Sequence, residues 1–161
     1  GEWIAAALRG MTTSNEGAAQ CLLRHGASSC TDVTGFGFLG HLLEMAKASQ
    51  ALLSVRLSCV PLLPGAQECV SRGIFSSLQP ANLRLKRAVA NEADALAHPA
   101  YPLLFDPQTA GGLLASVPAE AAERCVAELR ALGYERAAVV GEVTAILGED
   151  ACAATQIRCV L

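Results

Sequence analysis

Two glycine-rich segments carry the side chains that could do chemistry in this sequence. Residues 30–40 read CTDVTGFGFLG, and residues 106–112 read DPQTAGG. Asp32 precedes a predicted helix, whose free N–H groups and dipole favour an anion such as phosphate. A carboxylate repels phosphate unless a divalent cation lies between them, and Mg²⁺ is typically held by one or two carboxylates plus substrate phosphates. The same residues also permit a ligand-free interpretation, in which Asp32 or Thr34 caps the helix.

The spacing of Gly35, Gly37 and Gly40 also matches the dinucleotide-binding pattern G-x-G-x-x-G. That fingerprint must follow an apolar strand and carry an acidic residue about 20 residues later. Residues 29–34 are too polar for such a strand, and Val55 stands where the acid would be. The sequence therefore argues against a dinucleotide site.

The second segment, residues 106–112, is predicted to connect two strands. A turn that contains Asp, Pro and two glycines needs no function to explain it. Gln108 and Thr109 nevertheless make this turn long and polar for a simple reversal. Two interpretations stay open, a structural turn and the lining of a ligand cleft.

The cysteines and histidines form no recognisable site in the sequence. There is no C-x-x-C pair, so a zinc site is not expected, and an odd number of scattered cysteines predicts reduced thiols that pack as small core residues. His41 and Glu44 lie one turn apart on a predicted helix but lack the second histidine of a zinc helix. The cysteines are Cys21, Cys30, Cys59, Cys69, Cys125, Cys152 and Cys159.

Composition restricts the class of protein. The chain has 161 residues, of which 52% are hydrophobic and 17% charged, as expected for one folded domain rather than a disordered segment. Its net charge of −3 argues against nucleic acid or an anionic membrane as the main partner. The apolar stretches are too short to span a membrane, and no secretory signal is visible, so we expect a cytoplasmic protein.

Helices and strands alternate only loosely, which predicts an α+β fold rather than a doubly wound one. A capping box of Thr13 and Glu16 is predicted to open one of the helices, and Gly26 to end it. The predicted helices cover residues 3–9, 13–25, 64–72, 83–97 and 118–133, and another is predicted to follow from residues 35–40 and to run to about residue 49. The predicted strands cover residues 53–57, 101–105, 113–117, 137–143 and 155–160, with a turn at 148–150.

Several segments together resemble the selenophosphate synthetase (selenide, water dikinase) family. They occur in the family's order and extend from about Met11 to Val143, with Ala110 where the family often has Ser. The combination of TDVTGFG with DPQTxGG is far more specific than either glycine pattern alone. The matching segments are MTTSN (11–15), CTDVTGFG (30–37), GHLLEMA (40–46), GIFSSL (73–78) and DPQTAGGLL (106–114).

The resemblance implies an ATP-dependent enzyme that converts selenide, ATP and water to selenophosphate, AMP and phosphate. It implies that residues 1–161 form a single C-terminal domain, a layered α/β sandwich with a mostly antiparallel or mixed sheet, like that of aminoimidazole ribonucleotide synthetase. The ATP-binding, dimer-forming N-terminal domain and its catalytic Cys or selenocysteine and Lys would lie outside this chain. We therefore expect a homodimer at full length, no catalytic residue within this chain, and no turnover by the isolated domain.

The resemblance also implies roles for the two glycine-rich segments. Asp32 would be a Mg²⁺ ligand, and the first segment would face the phosphates of ATP through Thr31, Asp32, Thr34, Gly35 and Gly37. The second would line the phosphate or selenide side of the cleft through Asp106, Gln108, Thr109, Gly111 and Gly112. Two other classes remain open. One is another enzyme of the superfamily, such as a thiamine-monophosphate kinase or hydrogenase-maturation relative, and the other is a non-catalytic packing or regulatory module.

Overall fold

The computed structural model describes residues 1–147 and 156–161, which fold into helices and five short strands. The helices are α1 (Glu2–Thr12), α2 (Glu16–Arg24), α3 (Gly37–Ala48), α4 (Ala66–Ser71), α5 (Gln79–Asn82), α6 (Glu92–Ala95) and α7 (Ala119–Ala131). Short 3₁₀ helices cover Leu57–Cys59, Leu83–Ala88 and Tyr101–Phe105. The strands are β1 (Ser29–Asp32), β2 (Ala51–Arg56), β3 (Leu113–Ser116), β4 (Gly141–Ile146) and β5 (Ile157–Val160).

The strands form two separate sheets. β1 pairs antiparallel with β3, with Ser29 opposite Ser116 and Asp32 opposite Leu113. In the second sheet β2 lies in the middle, antiparallel to β4 and parallel to β5. This mixture of helices with antiparallel and mixed sheets confirms the predicted α+β class.

The main core lies where α3 packs against β2 and the 3₁₀ helix Tyr101–Phe105. Leu39, Val55 and Phe105 are each at most 2% exposed, and burying a side chain of this size contributes about 1.5–3 kcal/mol. A second, smaller cluster lies between α2 and α7. It comprises Ala18, Cys21, Leu22, Cys125 and Leu129.

The helix predicted over residues 83–97 is wrong, because the chain is extended in its middle. Val89 forms a parallel bridge to Ile157, and the Ala90 N–H donates to the Ile157 carbonyl at 2.8 Å. The Asn91 side chain then bonds to both backbone groups of Cys159, at 2.7 and 2.9 Å. Pairing with β5 thus overrides the local helix propensity and divides the segment into the 3₁₀ helix Leu83–Ala88 and α6.

The strand predicted over residues 101–105 is also wrong, since these residues form a 3₁₀ helix. Pro102 stands in its first turn, where the missing N–H has no cost. Tyr101, Leu104 and Phe105 are buried, a helical spacing that the short apolar run did not reveal. Residues 106–112 therefore do not form a hairpin turn, and the strand that follows them pairs with β1 instead.

Smaller differences concern element ends. The Thr13 hydroxyl donates back to the Arg9 carbonyl at 2.7 Å rather than capping α2, whose Glu16 N–H is bonded by Ser14. β4 begins at Gly141, later than predicted, and the predicted turn at 148–150 lies outside the described residues. Leu132, the C-cap residue of α7, is half exposed.

The helix ends at Gly26 and Gly133 are confirmed by positive φ angles of 76° and 98°. The expectation that every cysteine is buried is wrong, because Cys30 is exposed and Cys59 and Cys69 are half-buried. Cys152 lies outside the described residues. No helix in the described ranges is both long and apolar enough to cross a membrane.

Candidate functional site

The two glycine-rich segments lie side by side in the structure. Because β1 and β3 are antiparallel, the segment that leaves β1 and the segment that enters β3 meet at the same edge of this sheet. The Val33 N–H donates to the Gly112 carbonyl, and the Gln108 N–H donates to the Thr34 carbonyl, both at 3.0 Å. We call residues 31–37 and 106–112 the loop pair.

Two of the glycines are required by this packing alone. Gly37 has a φ of 68°, and a Cβ there would lie 2.9 Å from the Leu104 carbonyl oxygen. At Gly111 a Cβ would come well within 3.0 Å of the Val33 carbonyl oxygen, a separation that real Cβ atoms do not show. Both residues let one segment approach the backbone of its neighbour closely.

Gly35 and Gly112 have no such steric reason. A Cβ would meet nothing within 4 Å at either position, and neither residue has a positive φ. Both are exposed. The surface of the loop pair is therefore open to a ligand at these two glycines, whereas its interior is closed at Gly37 and Gly111.

Two asparagine side chains that were not predicted to be site residues hold the loop pair in place. Asn82, 4% exposed, donates from Nδ2 to the Gly35 carbonyl at 3.0 Å and to the Phe105 carbonyl at 3.1 Å. Asn15 donates from Nδ2 to the Gly111 carbonyl at 3.0 Å. In the sequence, Asn82 is distinguished only as a polar residue directly before a predicted helix. Asn15 belongs to the MTTSN segment (11–15), which could have marked it as a candidate.

The Thr34 side chain is engaged from within the domain. Its Oγ1 lies 3.1 Å from Nε2 of His41, a residue that is buried in the first turns of α3. The other ring nitrogen, Nδ1, lies 3.0 Å from the Glu44 carboxylate, although not aligned as a hydrogen bond. The His41 ring thus joins the Thr34 side chain to α3, and Glu44 lies on the other side of the same ring.

Asp32 lies at the end of β1 with its side chain on the exposed face of the strand. In the described structure Phe36 is the N-cap residue of α3, and no side chain caps the helix there. The capping interpretation of Asp32 and Thr34 is therefore wrong. Partial burial and then the nearby Asp32 carboxylate raise the pKa of the Cys30 thiol. Cys30 and Asp32 lie on the same exposed face of β1.

The second segment has an engaged part and an open part. Gln108 donates from Nε2 to the Asp106 carboxylate at 3.1 Å. Burial raises the pKa of the Asp106 carboxyl, and the bond from Gln108 opposes part of this shift. Asp106 and Gln108 therefore stabilise the turn itself, whereas Thr109 is exposed in its middle and Gly112 is exposed where it enters β3.

The donor set at the loop pair fits a share of a Mg²⁺ site. Within residues 1–147 and 156–161, Asp32 does not belong to any group of three potential ligands that lie within 4.8 Å of one another. Mg²⁺ keeps several waters and commonly takes only one or two carboxylates besides substrate phosphates. One exposed carboxylate at the end of β1, four residues before the N-cap residue of α3, is compatible with that arrangement.

Comparison with known proteins identifies the family. Residues 6–148 match the family model described as "AIR synthase related protein, C-terminal domain", and the chain belongs to this family. The resemblance to selenophosphate synthetases is confirmed by relatives named selenide, water dikinase. One from Pelobacter propionicus is 41% identical over 84% of this chain and 39% of that protein. Others from Burkholderia orbicola and Clostridioides difficile are 39% and 36% identical over 82% and 80% of this chain.

The chain spans less than two fifths of the length of these relatives, since the matches cover 37% of both the Burkholderia and the Clostridioides proteins. The matched region includes both segments of the loop pair, which lie within residues 6–148.

Proposed function

We propose that this chain is the C-terminal domain of a selenide, water dikinase. The complete enzyme would convert ATP, selenide and water to selenophosphate, AMP and phosphate, and this domain would contribute the loop pair to the Mg·ATP site. The observation that carries the proposal is the position of Asp32. This residue is exposed at the end of β1, four residues before the N-cap residue Phe36 of α3, and its carboxylate is not used as a helix cap.

The loop pair suits phosphate recognition in several ways. Phosphoryl transfer depends on positioning and on neutralisation of charge rather than on a conventional acid–base pair. The N-terminus of α3 would attract phosphate oxygens, and Gly35 would let them approach the backbone. Thr31 and Thr34 would shape the loop, with the Thr34 hydroxyl directed by His41.

A bound Mg²⁺ would supply charge neutralisation and orient the phosphates, and Asp32 would be its ligand from this chain. Thr109 and Gly112, the exposed residues of the second segment with a predicted site role, would line the cleft on the phosphate or selenide side. Asp106, Gln108 and Gly111 would act indirectly, by fixing the shape of that segment.

The rest of the machinery would lie outside this chain. A catalytic Cys or selenocysteine, a catalytic Lys and further metal ligands would come from an N-terminal domain, and the complete enzyme would be a cytoplasmic homodimer. The isolated domain would then bind nucleotide weakly and turn over nothing, because most of the site is missing.

Phosphorus NMR of the complete enzyme with Mg·ATP and selenide tests this proposal. The wild type should give selenophosphate and AMP, and Asp32→Asn should lower the rate by about 100-fold or more, since even second-shell changes cost about 10–100-fold. Asp94→Asn is the matched control, because Asp94 is an exposed carboxylate on α6, away from the loop pair.

Each outcome has a defined meaning. Equal rates for Asp32→Asn and wild type would remove Asp32 from the metal site but keep the reaction. ATP cleavage without selenophosphate would favour another enzyme of the superfamily. If a folded wild type neither cleaves ATP nor forms selenophosphate, the domain is a packing or regulatory module.

A further inference from the structure

A second cluster of metal-ligating side chains lies between α2 and α7, separate from the loop pair. Cys21 lies on α2, His25 follows at its C-cap one turn later, and Cys125 lies on α7. One ligand atom from each residue lies within 4.8 Å of both others. Residues four apart on a helix share a face, so both α2 ligands are directed at Cys125.

The two thiols are fully enclosed. Cys21 is 0% exposed and Cys125 is 2% exposed, and the Cys21 sulfur lies 4.0 Å from the Cys125 carbonyl oxygen. Burial alone could be explained by packing, since cysteine behaves as a small apolar residue. Apolar packing of the two thiols does not explain why a ring nitrogen of His25 lies within 4.8 Å of both sulfurs.

A carboxylate completes the arrangement. Nε2 of His25 lies 2.8 Å from the Glu128 carboxylate, which Arg24 also contacts. Metal-bound histidines are commonly oriented by such a carboxylate on the imidazole. Cys125 and Glu128 are three residues apart on α7, so this helix presents a sulfur and a carboxylate on one face.

We propose that Cys21, His25 and Cys125 form a Zn²⁺ site that joins α2 to α7. Thiolate sulfur and imidazole nitrogen are donors that Zn²⁺ takes in structural sites, and water would take the fourth position here. Two thiolates neutralise the charge of the ion, which suits a buried position. Bonds of about 2.0–2.3 Å place ligand atoms about 3.5 Å apart. The three ligand atoms lie within 4.8 Å of one another, so none of these separations would have to shorten by more than about 1.3 Å.

The site would brace the loop pair without touching ligand. α2 follows directly after Asn15, which binds the Gly111 carbonyl, and α7 follows β3, the strand that begins after Gly112. A metal bridge would therefore hold together the two helices that flank the loop pair. This inference does not depend on the proposed reaction.

Metal titration of the complete polypeptide tests the site. The metal-free, reduced protein is titrated with Co²⁺ under nitrogen, and the thiolate-to-cobalt charge-transfer bands and d–d bands are recorded. We expect one tetrahedral, thiolate-bound Co²⁺ per chain from this site, displaced by one equivalent of Zn²⁺. Thiols elsewhere in a longer chain bind equally in all variants, so the site is assigned from the difference between wild type and Cys21→Ser/Cys125→Ser.

Matched variants separate ligation from burial. Cys159→Ser removes a buried thiol with no place in the cluster, and Cys30→Ser removes an exposed one, so both should bind as wild type does. Glu128→Gln should weaken Zn²⁺ binding by about 10–100-fold, measured by competition with a chromophoric chelator. Because the double variant could misfold, the wild type is also tested for a rise in its thermal midpoint with added Zn²⁺.

Three results would overturn the proposal. The first is the absence of thiolate-to-cobalt bands in a folded, reduced wild type. The second is equal binding by wild type and a folded double variant. The third is a Cys21–Cys125 disulfide, found by mass spectrometry of rapidly alkylated protein, together with no metal binding after reduction.

Discussion

Gly111 is the position where the packing of the loop pair can be tested most sharply. In Gly111→Ala the new methyl group would lie well within 3.0 Å of the Val33 carbonyl oxygen and 3.1 Å from its carbon. Both are backbone atoms of a strand end, so a rotamer change cannot relieve the clash. The two segments must separate.

The cost can be worked out from the bonds that separation breaks. The Val33–Gly112 and Thr34–Gln108 backbone bonds, both 3.0 Å long, contribute about 0.5–1.5 kcal/mol each. Overpacking at a closed position costs about 1–3 kcal/mol. We therefore expect Gly111→Ala to lower the free energy of unfolding by about 2–6 kcal/mol.

Gly112→Ala is the matched control, because a Cβ there meets nothing within 4 Å. It should change stability by less than about 0.5 kcal/mol, or raise it slightly by restricting the unfolded chain. Urea denaturation measures both variants, and hydrogen exchange of residues 30–37 reports local separation. If Gly111→Ala were as stable and as protected as Gly112→Ala, the packing described for the loop pair would be wrong.

Two further changes test buried polar groups. Asn82→Ala leaves the Gly35 and Phe105 carbonyls without their amide partner. It should lower the free energy of unfolding, measured by urea denaturation, by about 2–3 kcal/mol. A decrease below about 0.5 kcal/mol would contradict the role of Asn82. The Tyr101 hydroxyl has no hydrogen-bond partner among the described residues, so Tyr101→Phe should be at least as stable as wild type at pH 7. Burial, and then Glu92, raise the Tyr101 pKa to about 12. The wild type should therefore lose about 2 kcal/mol relative to Tyr101→Phe as the pH rises from about 10, the unfolded pKa, to 12, and parallel stability–pH curves would contradict this.

The parts of the fold that sequence could predict are those with local signals. Gly26 and Gly133 end their helices as predicted, because a left-handed backbone position favours glycine whatever surrounds it. The sequence also singled out residues 30–40 and 106–112, since glycines beside polar residues are unusual within apolar segments. Their direct contact required knowing that β3 pairs with β1, which local patterns do not reveal.

The wrong helix over residues 83–97 has a non-local cause. The extended backbone at Val89 depends on Ile157, 68 residues later in the chain, and no window over residues 83–97 contains that partner. Cys21 and Cys125 are likewise brought together only by the packing of α2 against α7. The absence of a C-x-x-C pair leaves Cys21 and His25, four residues apart and one helical turn away from each other, unexamined as a pair.

The backbone bonds inside the loop pair also bear on how such domains are exchanged between related proteins. The two segments, residues 31–37 and 106–112, are hydrogen-bonded to each other and approach closely at Gly111. The conformation of each therefore depends on the other. A chimaera that takes one segment from a relative should inherit a mismatch, whereas one that takes both should keep the native shape. The two segments should therefore be exchanged together, although more than 60 residues separate them in the chain.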